Sequence, residues 1–233
     1  MFQVLVIKGL NTESRIICIM SVFELVQDLK SFRSCKDEVI PRKKMGKILE
    51  AGRQAPSPKN VQSLEFIVVE DEKKLEFLEE ASGDRRVSEA PTAVVLVADV
   101  DRMSRHVGNH FAREASNSEA ALAAQNMRLV AKEEGVGSCW IGGFDEDVVA
   151  EQLDVPSGKQ PLGILLFGYT ENEVERDPKF GLNSVCFYDS YDNQIDSVFD
   201  GVEWKGLREN REIYGKKAGG LVSKLRRKVR SIL

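Results

Sequence analysis

Three short stretches of this chain carry side chains suited to a charged, planar ligand. Lys30, Ser31 and Arg33 place two cations and a hydroxyl within four residues. Ionised donors make the stronger hydrogen bonds, and an arginine engages two acceptors at once, so this set suits an anion. It equally suits a solvated helix end that complements the negative pole of the helix dipole. The second stretch, APSPKNVQ at 55–62, holds Ser57, Pro58, Asn60 and Gln62. Prolines fix its backbone, and side-chain amides that donate and accept together match the alternating edge of a pyrimidine-like ring. A proline-rich turn with incidental polar residues has the same composition. The third stretch, Trp140-Ile141-Gly142-Gly143-Phe144, runs an apolar segment into paired glycines. There a flat ligand could lie on the main chain and meet its N–H groups, or the chain could simply turn tightly.

These stretches must be held by the elements around them. After Ser21, suited to an N-cap, the spacing of Val22, Leu25, Val26 and Leu29 predicts a short amphipathic helix over 21–31 that delivers the first stretch. Pro41 opens a second helix whose apolar stripe, Met45, Ile48 and Leu49, runs out near Gly52, just ahead of the second stretch. EFIVVE at 65–70 and TAVVLVA at 92–98 read as buried strands of one sheet, with a charged helix around 72–81 between them. The longest feature, 112–134, is alanine-rich, with Leu122, Met127, Leu129 and Val130 mixed among Gln125, Asn126 and Arg128. Its small residues allow close helix approach, and so long an apolar surface needs a partner. GVGSCWIGGFDEDVVAEQLDVP predicts strand, turn, short helix and a stop at Pro156, and GILLFGY at 163–169 another buried strand. Strands and helices interleave, which favours an α/β layer fold with helices on both faces of a sheet.

In their order and intervals the three stretches resemble the nitroreductase family of FMN-dependent oxidoreductases. KSFRSCKDEVIP is similar to that family's opening Arg-Arg-Ser-x-Arg run, with Lys30, Ser31 and Arg33 on its second, third and fifth positions. MGKILEAGRQAPSPKNVQSLEFIVVED resembles its helix followed by Ala-Pro-Ser-x-x-Asn-x-Gln and a strand, and ALAAQNMRLVAKEEGVGSCWIGGFD is the nearest match; together the resemblance spans about 22–190. It implies an α/β (α+β) three-layer fold, a mixed, mainly antiparallel sheet flanked by helices, in an intertwined homodimer with FMN at the subunit interface and the second stretch coming from the other subunit. By position, Lys30, Ser31 and Arg33 would serve the phosphate and the pyrimidine side. Arg33 would compensate charge on the reduced ring. Ser57, Pro58, Asn60 and Gln62 would hold ring and ribityl chain, and the main chain at Ile141, Gly142 and Gly143 would face the reactive central-ring nitrogen. No side chain need act as acid, base or nucleophile. Leu29 stands where the family has its first arginine, so a compensating cation is expected from Lys179 or Arg176. Gly83-Asp84 stands where many members carry Gly-Gln, which would bring an anion near the ring.

Composition narrows the alternatives. With 42% hydrophobic and 30% charged residues among 233, the chain suits one globular domain. We place a flavin-binding domain at 20–190, an N-terminal extension at 1–19 that is an extra strand or an over-extended start, and a C-terminal extension at 191–233. Residues 216–233 carry seven basic side chains and no acid, leaving 26 basic against 37 acidic residues elsewhere, about −11 for the body. That balance argues against a nucleic-acid partner. Leu221, Leu225, Val229 and Ile232 align on one face of the tail, which could lie on an anionic membrane, dock on a partner, pack on the acidic body or fray. The four cysteines are scattered singly and no secretory or membrane-spanning segment stands out, so a reducing cytoplasm and no metal are expected. His106 and His110 would share a helix face but lack further ligands at suitable spacing, and are expected in a segment over the flavin. Cys139 is expected to be inert filling of a strand. The expected activity is hydride transfer from NADH or NADPH through FMN to a small, planar, electron-poor acceptor such as a nitroaromatic or quinone. The alternatives are a deazaflavin donor or dehalogenating chemistry on the same fold, or a non-catalytic flavin-binding or docking protein that uses its basic tail.

Overall fold

The computed structural model describes residues 3–7, 15–19, 21–170, 178–181, 184–191 and 193, the first two stretches by their backbone course. The chain divides into two units, Met1–Val174 and Glu175–Leu233. The basic tail at 216–233, whose fate the sequence leaves open, lies outside the described residues, as does Arg176.

In the first unit β1 (Gln3–Ile7) and β2 (Arg15–Ile19) pair antiparallel with each other, so the opening residues form two strands. Ser21 caps α1 (Val22–Asp28) reciprocally: its hydroxyl accepts from the Glu24 N–H at 3.2 Å and the Glu24 carboxylate accepts from the Ser21 N–H at 2.8 Å. The helix stops at Asp28, three residues short of the expected end. A two-residue strand β3 (Cys35–Lys36) is followed by α2 (Arg42–Arg53), β4 (Leu64–Val69), α3 (Glu72–Ser82), the one-turn α4 (Arg86–Glu89) and β5 (Thr92–Asp99). Then come α5 (Val100–Val107), α6 (Asn109–Glu133), β6 (Gly137–Ile141), α7 (Glu146–Gln152) and β7 (Lys159–Thr170).

β7 is the pivot of the sheet. It pairs with β5 on one side and with β3 and β6 on the other, and β5 continues to β4. Every pairing between these strands is antiparallel. A lone parallel bridge, Ser31 to Ser138, seals part of the outer edge of β6.

Strand alternation builds the layers on both faces. Ala93, Val95 and Val97 of β5 point with Ile164 and Leu166 of β7 into a core shared with Leu75 and Leu78 of α3, Val87 of α4 and Val149 of α7. Val94 and Leu96 point the other way with Leu165 and Phe167, against Met45 and Ile48 of α2 and Ala120, Ala123, Ala124, Met127 and Ala131 of α6. Helix, sheet, helix is the three-layer arrangement expected. The close approach of α2 to α6 depends on Gly52, where a Cβ would sit 2.7 Å from the Met127 sulfur.

The expected long helix starts three residues earlier than 112, and a separate short helix precedes it. Gly108, at φ 85°, separates α5 from α6, so the long helix begins at Asn109. His106 lies in the last turn of α5 and His110 in the first turn of α6, and they do not share the helical face that their spacing predicts. A glycine in that conformation interrupts the helical hydrogen-bond ladder whatever the side chains around it favour.

Candidate functional site

The first stretch pairs with the strand that leads into the third. Beyond α1 the chain runs along the outer edge of β6: Ser31 bridges Ser138, and Phe32 N–H donates to the Ser138 carbonyl at 3.4 Å. Phe32 is buried and anchors the segment, while Arg33 projects into solvent and makes no ion pair with a described residue. Lys30 Nζ lies 3.7 Å from Asp28, whose other carboxylate oxygen is taken by Lys132 at 2.6 Å. β6 then ends at Ile141, and the chain continues through Gly142 and Gly143, both exposed. A Cβ on Gly143 would meet open space, whereas one on Gly142 would come within 2.8 Å of the Trp140 indole nitrogen. The end of β6 is therefore an open main-chain ledge.

The second stretch is elsewhere. Residues 57–62 lead into β4, the strand farthest from β6, and by register they sit at the same end of the sheet as the glycine ledge. Three strand spacings, about 14 Å, separate the two edges. Within one chain the structure thus sets Ser31 on β6, the strand that carries Ile141 and leads into Gly142 and Gly143, and leaves Ser57, Pro58, Asn60 and Gln62 at the opposite edge. Lys179 is exposed in the second unit.

The loop itself is constrained. Lys59, Asn60 and Gln62 hold φ values of 51°, 57° and 53°, the left-handed region that costs a non-glycine residue on the order of 1 kcal/mol each. It is pinned on several sides: Gln62 N–H donates to Ser57 Oγ at 3.0 Å, Lys59 Nζ to the His106 carbonyl at 2.7 Å, and Arg102 to the Gln62 carbonyl at 2.8 Å. At its end the buried Glu119 of α6 accepts from the Ser63 hydroxyl at 2.7 Å and the Ser63 N–H at 3.3 Å. A strained segment persists only where its surroundings over-determine it, and such segments cluster where ligands bind.

Charge near the β6 edge is arranged on two faces. On one, Arg86 grips Asp84 through Nε at 2.9 Å and Nη2 at 2.5 Å, and its remaining amino group reaches Cys139 Sγ at 3.1 Å. The Arg86 hydrogen bonds hold the Asp84 carboxyl below the usual range. Asp84 is therefore a neutralised anion, which answers the concern raised by its place in the sequence. Burial pushes the Cys139 thiol up against the opposing pull of Arg86, as expected of inert filling. Cys139 is expected to react with a thiol reagent at pH 8 more than about tenfold slower in the folded protein than in urea, read by mass spectrometry; equal rates would show the strand to be open.

On the other face stands Arg128 of α6, which in the sequence is one polar residue among several. Its Nε donates to Ser138 Oγ at 3.3 Å and its Nη2 to Ser31 Oγ at 3.2 Å. The only signal in the sequence was an arginine between Met127 and Leu129 in a helix otherwise rich in alanine.

Among the described residues no group of three or more His, Cys, Asp or Glu side chains is placed to hold a metal ion, and no helix is long and apolar enough to cross a membrane. The donor set fits a flavin mononucleotide: a hydroxyl and cations along the strand that leads into an open main-chain ledge, and a rigid amide-bearing loop.

Comparison with known proteins agrees. A profile of the nitroreductase family matches residues 29–88 and 78–169. FMN reductase (NADPH) of Bacillus subtilis is 28% identical over 190 residues, 76% of each chain. A nitroreductase family protein from Clostridium novyi NT superposes with a TM-score of 0.59 at 26% identity, covering 76% of this chain and 97% of that one. The NADPH:FMN oxidoreductase of Vibrio harveyi, solved with NAD+, shares the fold with a TM-score of 0.67 at 22% identity, over 73% of this chain and 77% of its own.

Proposed function

Since the chain belongs to the nitroreductase family, we infer that it is an FMN-dependent oxidoreductase that takes hydride from NAD(P)H and delivers it to a small, planar, electron-poor acceptor such as a nitroaromatic or quinone. The observation that carries this reading is that the Ser31–Phe32 segment pairs at Ser138 with β6, the strand that runs on into the exposed Gly142–Gly143 ledge. Relatives named for NADPH favour a nicotinamide donor over a deazaflavin.

FMN, when bound, supplies the ring that accepts hydride and passes it on. The chain's own residues bind and orient it. Ser31 and Lys30 serve the phosphate. Arg33, unpaired among the described residues, supplies positive charge at the pyrimidine edge, where negative charge gathers on reduction. Main-chain N–H groups at Ile141, Gly142 and Gly143 face the ring without a side chain to hold it off. Ser57, Pro58, Asn60 and Gln62 come from a second copy of the chain. We set the flavin-binding domain at 20–190, flanked by extensions at 1–19 and 191–233.

Two observations support the homodimer. The second stretch sits at the wrong edge of its own sheet to meet the ledge. Large apolar side chains are also exposed on α6 (Phe111 and Leu122) and α1 (Val22, Phe23 and Val26), surface that a symmetric partner would cover.

Purified protein is expected to be yellow and to elute with the mass of two chains. Anaerobic NADPH or NADH should bleach its visible flavin absorbance, and a quinone or nitroaromatic added afterwards should restore it. Colourless protein that takes up no added FMN, or flavin that neither nicotinamide bleaches, would end this reading.

A further inference from the structure

Among the described residues Arg128 has no counter-ion. It is half-buried near the end of α6, and no carboxylate of a described residue lies within 4.0 Å of its guanidinium. Its two recorded partners, Ser138 and Ser31, are neutral hydroxyls. A guanidinium has five N–H donors, so most of its capacity is unspent. Burial pulls its pKa down, and the nearby Cys139 thiol acts against that. A desolvated cation in this state is costly, and an anion beside it would offset the cost.

The position of Arg128 says which anion. It touches Ser31, a hydroxyl that the flavin reading assigns to the phosphate. Two residues earlier, Leu29 stands where the family's opening pattern has its first arginine. Arg128 comes from a different element, 97 residues along the chain from Ser31, yet reaches the same edge of β6. We propose, on the basis of the flavin reading, that Arg128 supplies the phosphate cation that Leu29 does not, and so gives this chain its preference for a phosphorylated flavin. The charge is kept while its source moves from the opening segment to the long helix. A guanidinium there can engage two phosphate oxygens at once.

The test compares FMN with riboflavin, which lacks the phosphate, binding to apoprotein by quenching of flavin fluorescence. Arg128→Leu is expected to raise the FMN dissociation constant about 10- to 100-fold, the range of a charge-assisted hydrogen bond, and to leave that for riboflavin within about twofold. Arg128→Lys should fall between, because it keeps the charge and loses the fork. Leu29→Arg added to Arg128→Leu should restore most of the FMN affinity. A role confined to tying Ser31 to β6 would instead weaken both flavins alike and lower the melting temperature of the apoprotein. Equal loss for both flavins, or unchanged FMN binding in a folded Arg128→Leu, overturns the proposal. If Arg128→Leu does not fold, Arg128→Lys decides: FMN affinity equal to wild type overturns it, and selective loss of FMN affinity supports it. Wild-type apoprotein that binds neither flavin overturns the flavin reading itself, and this proposal with it.

Discussion

Gly163→Ala is expected to destabilise the protein by about 3 kcal/mol, near the upper end for overpacking a filled site. Gly163 lies in β7 opposite Leu96 of β5, and a Cβ there would overlap the benzo ring of Trp140, which crosses directly over the strand backbone. Its neighbours cannot yield easily: Leu96 and Ile164 are fully buried. The indole would have to leave its place above β7, and with it the support of the ledge at Gly142. In a chain of this size the cost corresponds to a fall in melting temperature of roughly 6–12 °C. Thermal unfolding followed by circular dichroism measures it. Trp140→Leu in the Gly163→Ala background should recover part of the loss, because the two residues share one space and their effects are not additive. A Gly163→Ala protein that melts with the wild type would mean that Trp140 does not lie on this strand.

Gly143 should behave in the opposite way. A Cβ there meets nothing within 4 Å, and its backbone is outside the positive-φ region, so Gly143→Val should fold and melt within about 2 °C of wild type, as surface substitutions do. The branched side chain would fill the space above the ledge. A flat ring resting on the main chain would then meet steric cost of about 1–3 kcal/mol, so the FMN dissociation constant should rise up to about 100-fold. Titration of apoprotein with FMN reads this directly. Retained wild-type affinity would place the ring somewhere other than on this main chain, whatever happens to turnover.

The strands were legible because their signal is local. EFIVVE and TAVVLVA are runs of β-branched residues, and the structure places β4 at Leu64–Val69 and β5 at Thr92–Asp99 over them. The cap at Ser21 was legible for the same reason, since a hydroxyl and Glu24 three residues later satisfy each other within one turn. The start of α6 at Asn109, three residues ahead of the expected 112, was less legible, because it is set by the backbone of Gly108 rather than by side-chain periodicity. The short helices α4 and α5 also escaped notice. Each is one or two turns long and is held by what it packs against more than by its own periodicity.

The candidate site divides along the same line. Residue types and intervals alone brought Ser31, Arg33, Asn60, Gln62, Gly142 and Gly143 into view, because a ligand's chemistry constrains which groups can serve it, and those groups fall in short runs. Only the tertiary structure showed that the loop at 57–62 and the ledge at 142–143 stand on opposite edges of one sheet, that Asp84 is neutralised by Arg86, and that Arg128 reaches across to Ser31. Those facts depend on strand order and on which face of β6 each neighbouring side chain takes. Ser138 and Cys139 are adjacent in the chain yet meet arginines from opposite layers, and that separation exists only once β6 is paired with β7 and its two faces are covered.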